Sequence, residues 1–104
     1  MKPIDYRNET WESLKERLTG LRQDVYTAWQ VYGPGTTREV AAKAGIDILT
    51  FRPRTTELFQ MGFVEVVEDA QSVGEAVYQA VLVMTVKDRF QASKREPAYQ
   101  RELL

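Results

Sequence analysis

Between positions 38 and 60 the chain gathers side chains able to bind an anion or a polar edge: Arg38, Lys43, Thr50, Arg52, Arg54, Thr56 and Gln60. Guanidinium and ammonium groups hold phosphate, and Arg, Thr and Gln also hydrogen-bond nucleobase edges. Bond-making chemistry has much less to work with. There is no His and no Cys, which removes the commonest general base, the thiol nucleophile and the commonest metal ligands together. Asp and Glu are numerous, but none forms the isolated, apolar-flanked pair that glycoside hydrolysis uses. Gly33-Pro34-Gly35 lacks the GxxxxGKS/T spacing of a phosphate loop. These residues argue for binding without a cofactor rather than for an enzyme.

Such side chains need elements to aim them. Phe51, Thr55, Leu58 and Met61 are spaced by three or four residues, which predicts a helix near 48–61. Asp47 or Thr50 can cap it, and Gly62 suits a left-handed end. Pro53 has no N–H to give, so it is expected in or near the first turn. Leu49, Thr50, Arg52, Pro53 and Thr56 then fall on the outer face, with Gln60 a turn further along. Upstream, Thr36-Thr37-Arg38-Glu39 is a capping-box signature opening a short helix with Val40, Ala41 and Ala44 inward. That helix ends at Gly45 and carries Arg38 and Lys43. Trp11, Leu14, Leu18, Leu21, Val25, Ala28, Trp29 and Tyr32 continue the same periodicity toward the N-terminus. They predict helices near 10–19 and 20–32, or one helix weakened at Gly20, with Thr19 as a cap. Residues 1–9 read as an irregular lead-in. Downstream, 63–67 is β-branched and aromatic and predicts a strand. A polar loop at 68–75 and a longer strand at 76–85 complete a hairpin. The charged stretch 86–104 is open to three readings: surface helix, partner-binding arm or disordered tail.

This order resembles the winged helix-turn-helix family. Residues 36–46 resemble the first half of many bacterial helix-turn-helix regulators, and residues 49–65 resemble their second helix and the start of the wing. Similar short winged-helix proteins are encoded by bacteria and their phages. The resemblance implies an α+β domain over 10–85, mostly helical, with a C-terminal β-hairpin wing and an extra N-terminal helix. It also implies double-stranded DNA as partner and transcription regulation as role, with the helix near 48–61 in the major groove. Arg52 is then the best candidate for a bidentate guanine contact, Thr50, Thr56 and Gln60 for phosphates or base edges, and Arg38 and Lys43 for phosphates. Arg54 has a structural alternative, because Glu57 lies three residues on, at ion-pairing distance along a helix.

Charge placement is the main objection. The 104 residues carry a net charge of -1. Segment 36–61 holds four basic and three acidic residues, a balance of +1. Segment 62–85 holds Glu65, Glu68, Asp69 and Glu75 with no basic residue, a balance of -4. An acidic wing is repelled by phosphate. The alternative reading is therefore a protein-interaction module that uses this hairpin or the charged C-terminal stretch, which holds five basic and three acidic residues. A single helix-turn-helix buries too little surface for tight operator binding, so a homodimer is expected. Trp11, Leu14 and Leu18 serve either as its seam or as packing within their own domain. The length suits one domain. No apolar run reaches the roughly 18 residues of a membrane span, and Met1 to Asp5 lack a signal-peptide stretch, so a cytoplasmic protein is expected.

Overall fold

The computed structural model describes residues 10–72 and 74–95; the lead-in at 1–9 and the end of the chain from 96 lie outside them. The chain is α+β and mostly helical, in the order α1 (Trp11–Glu16), α2 (Gly20–Tyr32), α3 (Thr37–Ala44), α4 (Ile48–Met61), β1 (Val64–Ser72), β2 (Glu75–Ala80) and α5 (Val83–Arg95).

The helix boundaries follow local chemistry. Thr10 caps α1 in a capping box with Ser13, each side chain bonded to the other's backbone N–H at 3.0 Å. Gly20 has φ +58°, a backbone turn that separates α1 from α2 and that a residue with a Cβ adopts only at a cost. Thr19 takes the extended N-cap conformation but makes no side-chain cap bond. At the other end of α2, a Cβ on Gly33 would lie 2.6 Å from the Trp29 carbonyl oxygen, so only glycine fits. The Thr36–Glu39 capping box forms as its spacing predicts, with bonds of 2.9 and 3.1 Å. Asp47, rather than Thr50, caps α4 by accepting from the Leu49 N–H at 2.7 Å. Pro53 sits deeper than expected, with α4 running straight through it. Its missing N–H would have bonded the carbonyl of Leu49, the most exposed large apolar residue described, at 79%.

The hairpin departs from expectation at both ends. Val64, Glu65 and Val66 face Ala80, Gln79 and Tyr78, and Gln71 and Ser72 face Ala76 and Glu75. β1 therefore continues through most of the stretch expected to be loop, because Ser72 and Glu75 pair across only two intervening residues. The surplus is absorbed as a bulge, in which residues 67–70 of β1 stand against Val77 alone. β2, by contrast, stops at Ala80 rather than 85. Its partner begins at Val64, opposite Ala80, so the last cross-strand bond runs from the Val81 N–H to the Phe63 carbonyl at 2.9 Å. Without a partner strand, the chain from Val83 coils into α5, which buries Val86 and Phe90 one turn apart. The outer edge of β2 is covered at Tyr78, which exchanges two backbone bonds with Gly35.

Aromatic residues dominate the core. Trp29 packs 5.7 Å from Phe51, Tyr26 lies edge-on to Phe63 at 5.3 Å, and Trp11 stands between Phe63 and Phe90. Their polar atoms are satisfied: Trp29 Nε1 donates to Thr55 Oγ1 at 3.0 Å, and the Tyr26 hydroxyl donates to the Val81 carbonyl. Burial pushes the Tyr26 pKa up. Among the described residues no helix is long and apolar enough to cross a membrane.

Candidate nucleic-acid interface

α4 has two faces with different commitments. Phe51, Thr55, Leu58 and Met61 are buried against α2 and its neighbours. Leu49, Arg52, Pro53 and Thr56 are exposed, and Thr50 and Gln60 are half-buried. The apolar positions impose this division, since burying the first row leaves only the second for solvent.

The fifth buried residue of α4 is Glu57, 7% exposed. A buried carboxylate requires partners, and this one has two. Arg22 of α2 donates from Nε to Glu57 Oε1 at 2.9 Å, and Arg54 Nε lies 2.6 Å from the same oxygen. The Arg54 Nε is buried with no aligned hydrogen bond, so its contact is an ion pair rather than a directed bond. Arg22 also donates to the Arg17 carbonyl at 3.2 Å. Arg54 is thus drawn to the structural role its spacing from Glu57 allowed. Arg22 carries no sequence signal for this cluster, because its partner is 35 residues away.

The remaining candidates separate further. The Arg52 guanidinium has no ion pair or side-chain hydrogen bond among the described residues. Thr56 donates its hydroxyl back to the Arg52 carbonyl at 3.2 Å, a common local bond that leaves its lone pairs outward. Lys43 is exposed in the last turn of α3. Arg38 leans instead onto the hairpin, with its Nε 3.5 Å from Glu75 Oε1. Gln60 already has an interaction of its own. The residues expected at the interface therefore share one region without forming a continuous cationic face.

No family model, curated protein or solved structure matches this chain.

Beside the outer row of α4 lies a cleft of about 320 Å³, lined by Thr37, Arg52, Thr55, Thr56, Phe59 and Tyr78. It runs between α4 and β2, with the start of α3 closing one end. Two carboxylates elsewhere on the surface are held charged. The Glu39 pKa is lowered by the backbone bond from Thr36, then by the Thr36 side chain, with Lys43 adding a smaller attraction. The Glu65 pKa is lowered by Arg89 of α5 at 2.9 Å, then by Gln79, also at 2.9 Å. The N-terminal helix presents no free apolar seam through the three residues named for it. Trp11 and Leu14 are buried, and Leu18 packs against the core.

Proposed function

We propose that this chain is a winged helix-turn-helix protein that binds double-stranded DNA, a small cytoplasmic transcription regulator that reads the major groove with α4. One observation carries the reading: α4 locks one face into the core and exposes Leu49, Arg52, Pro53 and Thr56, with Thr50 half-buried beside them and the Arg52 guanidinium unpaired among the described residues. A single helix fits the major groove, and an Arg at its exposed face is suited to the O6 and N7 atoms of guanine. α3, a tight turn before α4, supports it from behind and offers Lys43 to the backbone.

Band shifts at low salt against a random-sequence duplex library provide the test. The expected result is salt-sensitive duplex binding that Arg52→Ala weakens. Absence of duplex binding across the library would remove the reading. The Arg38–Glu75 contact favours a second reading, in which the acidic hairpin docks a basic protein surface in the way it already holds Arg38. Under that reading, charge reversal at Glu68 and Asp69 abolishes the partner while leaving duplex affinity at zero.

A further inference from the structure

Resting on the DNA reading above, we propose that the cleft between α4 and β2 seats one phosphodiester of the duplex backbone, with Tyr78 and Thr37 as its hydrogen-bond donors.

Four hydroxyls line this cleft, and their commitments differ. Thr55 accepts from the Trp29 indole, and Thr56 gives its proton to the Arg52 carbonyl. The hydroxyls of Thr37 and Tyr78 have no side-chain partner among the described residues. They come from different elements, one at the start of α3 and the other on β2. Both are half-buried, so a ligand would have to enter the cleft to meet them. Arg52, also in the lining, brings the charge of its guanidinium near the seat through space, without bonding the phosphate, so that its N–H groups go to a base edge.

The rest of the lining suits a sugar-phosphate better than a small dianion. Phe59 is 48% exposed and lies edge-on to Tyr78 with ring centroids 6.2 Å apart. That aromatic floor fits the apolar edge of a deoxyribose, and two neutral donors with one guanidinium match a singly charged diester. Arg52 and Thr56 belong both to the cleft and to the outer row of α4, so a strand lying along that row reaches the cleft without bending. Of the acidic residues of segment 62–85, Glu65, Glu68 and Glu75 do not line the cleft. The hairpin would meet DNA near its root, through Tyr78, where the neighbouring carboxylate of Glu65 is already paired with Arg89.

Tyr78→Phe removes the hydroxyl and keeps the ring against Trp29 and Phe59. Thr37→Ala is a second variant, on a different element of the lining, and thermal melts establish that each is folded. The probes are the duplexes bound by wild type from a random-sequence library, and the same duplexes carrying one neutral methylphosphonate at each backbone position in turn. Each variant should bind every duplex about tenfold more weakly, as for loss of one hydrogen bond to a charged group, with base preference unchanged. At one backbone position the methylphosphonate should weaken wild type but cause no further loss in Tyr78→Phe. Wild-type duplex binding with unchanged variant affinities and the same methylphosphonate profile would overturn the cleft assignment and leave the DNA reading standing. Absence of wild-type duplex binding would overturn both.

Discussion

Arg52 and Arg54 stand two positions apart on α4, yet burial gives them different duties. Arg52 points to solvent, whereas Arg54 shares the Glu57 carboxylate with Arg22. Arg52→Ala should cost about 1–3 kcal/mol of duplex binding, concentrated at one base pair, and leave the urea midpoint unchanged. Glu57→Ala should do the reverse. It strands two partly buried guanidinium groups and should lower unfolding stability by about 2–4 kcal/mol in urea titrations. Arg54→Ala should cost much less, about 1 kcal/mol, because Arg54 keeps roughly a third of its side-chain surface in water and Arg22 still holds the carboxylate. If Arg54→Ala proved the costlier of the two at the level of stability, Glu57 would not be the centre of the cluster.

At the scale of elements, the capping chemistry was the legible part. Thr36 and Asp47 each announce a helix start because a cap is a contact over two or three residues, although Thr50 competed with Asp47. Thr19, expected to cap α2, makes no such bond, and the Thr10 cap of α1 was not anticipated. The face of α4 was legible for a like reason, since a helix writes its burial into its own spacing. On α2, Val25, Ala28 and Trp29 of the expected row are buried, but Leu21 and Tyr32 at its two ends are exposed. The hairpin was not. The end of β2 depends on where β1 begins, and the bulge depends on which residues pair across the turn; neither is encoded within one strand. The cluster of Arg22, Glu57 and Arg54 likewise needed the fold to bring α2 against α4. Within the candidate site, the outer row of α4 was readable, but the capture of Arg38 by Glu75 and the place of Tyr78 beside α4 were not.

Two elements are also tied down by carboxylates that titrate. Glu39 closes the α3 capping box, and Glu65 joins β1 to α5 through Arg89. Both have folded pKa values below the ordinary 4.5. Their contribution is therefore complete above the unfolded value and is lost as pH falls through the lower folded one. Thermal stability should therefore decline as the pH falls below the ordinary carboxylate value of 4.5. Glu39→Gln and Glu65→Gln should each flatten part of that decline, as followed by melts across the range. A decline equally steep in the double variant would place the acid sensitivity elsewhere.

For the whole molecule, the balance of charge sets how any duplex would be held. Each neutralised phosphate contributes about -0.9 to the slope of log affinity against log salt. With Arg52 unpaired among the described residues, Lys43 exposed beside Glu39 and Arg38 drawn toward Glu75, two cations face the backbone and the slope should be shallow, about -2. Glu75→Gln should release Arg38, raise duplex affinity and steepen the slope by about one. Stability should barely change, since the Arg38–Glu75 pair is exposed and such pairs contribute little. An unaltered slope would mean that Arg38 does not reach the backbone.

The division of α4 into a locked side and an open side bears on how this protein could change over time. Phe51, Thr55, Glu57, Leu58 and Met61 hold the helix in place, and none of them is available to a ligand. Leu49, Thr50, Arg52 and Thr56 are available and contribute little to holding it. New target preferences can therefore arise by single substitutions in that open row without a loss of foldedness that other mutations must first offset.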